Sequence, residues 1–282
     1  MRTIGFILFL FIGTSMLRAQ EYPGVVINKD TNEPISYVSI GIIDTPFGTY
    51  SDKHGDFRMF IKDYEETDSL RFSCIGFHPV CYKVDDFIKL SEQGLDTIFL
   101  EEKITELDEV VITNTNYETK KLGNNRSTQQ LIIGFFGDRE KGIIIDNKEK
   151  LFLKKVSFKL TMAGGEVPDS AIFRFNVYNL KDGLPHENIL KQPVYFHLNE
   201  DQFYGKNEFD ISKYNIIVEE DFVPTFELIE QHKGSRIYFA AWFKGCLSIS
   251  RKGKQGKWEQ MVTDKREMEL YMSLRIDAVD IP

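Results

Sequence analysis

Apolar and polar residues alternate along most of this chain, and a period of two is the signature of strands that bury one face and leave the other outside. From Tyr22 to Thr113 the apolar runs are short, and turn residues break them about every ten positions, as in an all-β sandwich. A strand is expected over Ile35 to Ile43, with Val38, Ile40 and Ile42 on one face. Further strands are expected over Asp56 to Ile61, Leu70 to Ile75, Val80 to Val84 and Thr97 to Leu100, and Leu107 to Thr113 closes the series. The second half alternates more strongly. Val156, Phe158, Leu160 and Met162 oppose Lys155, Ser157, Lys159 and Thr161, while Phe173, Phe175 and Val177 oppose Arg174, Asn176 and Tyr178. Each pattern reads as a half-buried strand of an antiparallel sheet. The fold class is therefore all-β with two antiparallel β-sandwich domains, and any helices are short, such as one over Asp85 to Ser91.

Two segments fall outside the alternation. Arg2, the apolar run Ile4 to Ile12 and the small residue Ala19 before Gln20 make residues 1–19 a secretory leader, too short in apolar length to span a bilayer. The expected address is export: periplasmic, outer-membrane-associated or secreted. A lipid anchor is not expected, because the first cysteine is Cys74. Residues 114–130 are polar, contain Gly123-Asn124-Asn125 and lack periodicity, so they are read as a linker between domains at 20–113 and 131–282.

Several residues of the first domain carry a family likeness. Gly24-Val25-Val26, Asp30, Pro34-Ile35, Val38-Ser39-Ile40, Gly48-Thr49, Asp52, Gly55-Asp56-Phe57, Leu70, Phe72-Ser73, Ile75-Gly76-Phe77 and the run Leu107 to Thr113 resemble the carboxypeptidase regulatory-like domain. That resemblance implies a transthyretin/Ig-like sandwich, found in exported Bacteroidota proteins and at the N-termini of TonB-dependent transporters, with a structural or interaction role and no catalysis. The run Phe173 to Tyr178, followed by Asp182-Gly183-Leu184-Pro185, resembles a β-sandwich region of exported Bacteroidota proteins to which no activity is attached. This second domain is expected to be jelly-roll-like.

Charge and chemistry narrow the function classes. Thirty-five basic against 43 acidic side chains give −8. Removing the leader takes away Arg2 and Arg18 and no acid, so the remainder is more acidic still. Nucleic-acid binding is not expected of such a chain. Nor is there a GxSxG, Walker loop, CxxC or HExxH frame; His186-Glu187 has no second His in register. No catalytic residue, metal site or cofactor is expected. Asn28, Asp30 and Asn32 read as a turn. Strand parity places Phe72 opposite Tyr82 and Cys74 opposite Val80, which turns Cys81 to the other side and disfavours a Cys74–Cys81 bridge.

Two surfaces remain as binding candidates. The faces opposite the apolar ones carry Arg174, Tyr178, Tyr195, Tyr238, Trp242, Tyr271 and Arg275, a set suited to sugars if the strands bring them together. Arg251, Lys252, Lys254 and Lys257 beside Trp258 form a basic, glycine-broken loop that reads either as a solvated hairpin tip or as a grip for an anionic ligand. The leading expectation is a non-enzymatic exported binding or assembly module of the Bacteroidota cell envelope, partnered by an envelope protein or a glycan, without a transmembrane segment and of open oligomeric state. The alternatives are a glycan-binding accessory protein using an aromatic sheet face, and a hydrolase with a motif-free carboxylate site.

Overall fold

The computed structural model describes residues 20–103, 118–124, 131–135, 139–234, 236–243, 245–261 and 270–281. The leader and the strand expected at Leu107 to Thr113 lie outside them. The first sandwich is built from β1 (Gln20–Asn28), β2 (Ser39–Ile42), β3 (Gly48–Tyr50), β4 (Asp56–Ile61), β5 (Ser69–Ser73), β6 (Val80–Lys83), α1 (Val84–Glu92) and β7 (Thr97–Leu100). Its sheets have the orders β4-β1-β7 and β3-β2-β5-β6. One pairing departs from the expected antiparallel rule. Strands β1 and β7 run parallel, and no hairpin can join a parallel pair, so the rest of the domain serves as the crossover between them.

Strict alternation builds this core: in β4, Phe57, Met59 and Ile61 point in while Asp56, Arg58 and Phe60 point out. The short helix contributes Phe87, whose ring packs 5.8 Å from Phe72 and 6.0 Å from both Tyr22 and Tyr82. The turn after β1 forms as expected, with Asn28 Oδ1 accepting the backbone N–H of Asp30 at 2.8 Å. The β5–β6 register differs from expectation by two residues, since Phe72 faces Val80 and Leu70 faces Tyr82. Apolar alternation fixes parity, but a slip of two keeps every side chain on its own face, so parity alone could not locate the turn. Cys81 lies opposite Arg71 and is exposed, and Cys74, Cys81 and Cys246 are all free thiols.

The second sandwich follows with β8 (Thr119–Asn124), β9 (Leu131–Phe135), β10 (Arg139–Ile143), β11 (Leu151–Met162), β12 (Ser170–Lys181), β13 (Leu184–Asn188), β14 (Val194–Asn199), β15 (Gly205–Asp210), β16 (Ile217–Val218), β17 (Phe222–His232), β18 (Ile237–Trp242), β19 (Ser248–Lys252), β20 (Trp258–Gln260), β21 (Tyr271–Met272) and β22 (Leu274–Asp280). One sheet runs β13-β12-β17-β10-β19-β20 with β14 also on β12; the other runs β21-β18-β11-β22-β8 with β9, β15 and β16 added along it. Asp182 and Gly183, both at positive φ, make the two-residue turn that joins β12 to β13. Between the sheets, Phe158, Phe173, Phe196, Phe226 and Phe239 form a continuous ring cluster. Strand β8 falls within the stretch read as linker. It pairs along β22 from Thr119–Val279 to Asn124–Leu274, an edge strand whose Lys and Asn content hid it from an apolar-periodicity test.

A third layer of contact joins the sandwiches. Strand β2 is buried at all four positions, and β10 and β17 are buried on both faces over most of their length. Half-buried strands would leave Ser39 and Gly41, or Glu140 and Glu227, in water. Instead the outer face of β3-β2-β5 lies against the outer face of β12, β17, β10 and β19, and Ile75 from the first domain packs against the second domain's core. The close approach depends on small residues: a Cβ on Gly41 would meet Gln255 Cγ at 3.2 Å, and one on Gly48 would meet Lys254 Cγ at 3.1 Å.

Candidate functional site

Antiparallel register lines up one residue from each of six strands across the outer face of the second domain. Tyr195 on β14 faces Arg174 on β12, Arg174 faces Glu227 on β17, Glu227 faces Glu140 on β10, Glu140 faces Arg251 on β19, and Arg251 faces Trp258 on β20. Two glutamates directly opposite one another repel. The row is stable because a guanidinium flanks the pair on each side. Arg174 Nη2 donates to Glu227 Oε2 at 2.6 Å, and Arg251 Nη2 lies 2.6 Å from Glu140 Oε2. Glu140, fully buried, also accepts from Asn176 Nδ2 at 2.7 Å, from the Thr225 hydroxyl and from Tyr178 Oη–H at 3.3 Å.

The first domain closes over this row. Arg174 Nη2 donates to Ser39 Oγ at 2.6 Å and Nη1 to the Tyr37 carbonyl at 3.0 Å, so one side chain ties two domains together. Tyr37 sits at φ +57°, a costly conformation for a bulky residue. Its carbonyl is held by Arg174, its N–H donates to Asp52 O, and its ring meets that of Tyr195 at 5.4 Å. Lys254 enters from the β19–β20 loop, with Nζ 3.5 Å from Glu227 Oε1 and 3.4 Å from the centre of the Tyr50 ring. Beside it Gln255 donates from Nε2 to Ser73 Oγ at 3.0 Å and accepts the Asp44 N–H at 2.9 Å on its carbonyl. Gly253, at φ +76°, lies against Pro46 so closely that a Cβ would fall 2.6 Å from its backbone.

Burial and charge set the protonation states. Burial opposes ionisation of Glu140, but Arg251, the Thr225 hydroxyl, Arg174 and Asn176 together outweigh it and hold its carboxyl below the ordinary range. Burial pushes Lys254 down to about 8 despite the pull of Glu227, with Arg174 adding to the depression. Burial likewise raises the Tyr178 phenol, and it raises Tyr195 to about 12. Glu140 is thus held ionised against Arg251 and the two phenols stay neutral at neutral pH, as in a structural clamp, while Lys254 lies close enough to neutrality to titrate.

Beside the clamp a cleft of about 780 Å³ opens between the domains. Ser39, Arg71 and Ser73 line it from the first sandwich, and Arg174, Asn176 and Tyr178 from the second.

The sequence-derived candidates divide between two sheets. Arg174, Tyr178 and Tyr195 share the clamped face, whereas Tyr238 and Trp242 on β18, Tyr271 on β21 and Arg275 on β22 belong to the other sheet. The expected aromatic face is therefore not one surface. Trp242 is only 1% exposed and offers no platform to a sugar. Arg275 reaches Glu208 and Ser157, and its Nε lies 2.8 Å from Asp277 Oδ1 at an angle too poor for a hydrogen bond. The basic loop also differs from a solvated tip. Lys254 is 3% exposed, Arg251 is paired with Glu140, and its guanidinium lies 4.8 Å over the Trp258 ring; Lys252 and Lys257 alone of its cations are exposed. Glu140, Glu227, Tyr37, Tyr50 and Arg71 were missed. Charged residues in the outward register of Val223-Thr225-Glu227 were the available signal, but their partners come from strands far away in sequence.

Among the described residues no group of three or more His, Cys, Asp and Glu side chains is placed to hold a metal ion, and no helix is long and apolar enough to cross a membrane. No curated protein matches the chain. A family model does match its first sandwich, over the strands that form the upper wall of the cleft. Residues 22–112 match the CarboxypepD_reg-like domain, typically a non-catalytic β-sandwich module.

Proposed function

We propose that this protein is an exported, non-enzymatic binding or assembly module of the cell envelope in which the CarboxypepD_reg-like domain and the second sandwich work as one rigid unit. The observation that carries the reading is the cleft itself, whose walls come from both domains and whose floor is fixed by the Arg174–Glu227 and Arg251–Glu140 pairs. Binding sites gather at domain junctions because two preorganised walls can enclose a ligand without the entropy of ordering a loop. The leader-like pattern of residues 1–19, a basic Arg2, an apolar run and a small residue before Gln20, supports an address outside the inner membrane.

Retention of the purified protein on outer-membrane vesicles and on cell-wall sacculi, compared with a His186→Trp variant, tests this. His186 is an exposed cleft residue, so an indole there blocks the opening without touching the clamp. Wild type is expected to be retained and His186→Trp to be lost. Equal retention of both, or turnover of substrates in a broad hydrolase screen, contradicts the reading.

A further inference from the structure

The cleft is rich in cations and poor in anions. Arg71, Lys103, Arg174, Lys191 and Arg251 all line it, against a single carboxylate, Glu187, in a protein whose formal charge is −8. Arg174 and Arg251 are committed to Glu227 and Glu140. Arg71 differs from them. It projects from the outward face of β5, makes no hydrogen bond or ion pair among the described residues, and its Nε is buried without a partner. A buried N–H left without an acceptor is costly, and an ordered water, an ion or a ligand group are the partners that relieve it.

Two hydroxyls complete the set. Ser73 lies two residues along the same face, and Ser39 is its cross-strand partner. Ser39 Oγ accepts from Arg174 and Ser73 Oγ accepts from Gln255, so each keeps its own proton to donate. Ile75, Phe77 and Ile189 supply an apolar wall beyond them.

The geometry points to an oxyanion site in this cleft, in which the Arg71 guanidinium and the Ser39 and Ser73 hydroxyls receive a carboxylate or phosphate group of a small ligand. A planar guanidinium takes either anion through paired N–H donors, and hydroxyl protons fill the remaining lone pairs. The site rests on the binding-module reading and names its ligand chemistry.

Thermal-shift and calorimetric titration of the full chain with glucuronic acid, glucose 6-phosphate and glucose tests the inference. The three probes share a scaffold and differ in charge. At least one anionic probe is expected to bind and raise the melting midpoint, with glucose inert, and Arg71→Gln is expected to weaken that binding by about tenfold or more. Binding of glucuronic acid alone assigns a carboxylate source, and binding of glucose 6-phosphate alone a phosphate source. Because the Arg71 side chain has no hydrogen-bond partner to lose among the described residues, Arg71→Gln should melt at or above the wild-type temperature without ligand, which separates a lost site from a lost fold. Failure of both anions to bind, equal binding of glucose, or unchanged affinity in Arg71→Gln would overturn the site. If the anions fail while His186→Trp still abolishes envelope retention, the cleft binds an uncharged ligand and the module reading survives.

Discussion

Replacing Arg174 by alanine is expected to lower the unfolding free energy of the full chain by about 3–5 kcal/mol, the usual cost of leaving one member of a buried ion pair behind. Glu227, 1% exposed, would keep Lys254 at 3.5 Å as its one ion-pair partner among the described residues, and Ser39 and the strained Tyr37 would lose their donor from the other domain. Denaturant unfolding measures the loss. Arg174→Lys should recover little, because one ammonium cannot span acceptors on β17, on Ser39 and on the Tyr37 carbonyl. A loss below about 1 kcal/mol, the range of exposed pairs, would mean that the pair is not buried under the first domain.

Much of the fold was legible because burial in a sandwich imposes period-two alternation on each strand separately. Phe173, Phe175 and Val177 point into the core as their spacing requires, and Arg174, Asn176 and Tyr178 point the other way. What that outward face meets was not legible. Alternation reads a polar face as a wet one, yet here the polar face is covered by a second polar face made of Ser39, Gly41, Gly48 and Ser73. The same limit explains the basic loop. Glycine and lysine suit an exposed turn, but a Cβ on Gly253 would meet the Pro46 backbone of the first domain and one on Gly256 the loop's own Lys252 carbonyl, so neither position has room for a side chain. Strand β8 was missed for the converse reason, since an edge strand of Thr-Lys-Lys-Leu-Gly-Asn carries almost no apolar signal.

Glu140→Gln is the second large effect. The amide keeps the shape but presents donors to Arg251, whose charge then lies buried without its main counterion, so a loss of about 3–5 kcal/mol is again expected at neutral pH. Its pH dependence has a definite sign. The folded carboxyl titrates below its unfolded value of about 4.3, so its contribution is complete above that pH and disappears as pH falls through the folded value. The stability gap between wild type and Glu140→Gln should therefore be constant from neutral pH down to about 5 and narrow in acid below about 4. A gap that widens on acidification would place the carboxyl in its protonated form and contradict the paired state.

The row from Tyr195 to Trp258 and the sheet face laid over it make one unit of two sandwiches. Scanning calorimetry of the wild-type chain tests it most directly. One transition, with calorimetric and van't Hoff enthalpies in agreement, is the expected result. Two resolved transitions, one for each sandwich, would show that the domains unfold independently and that the clamp does not hold them together.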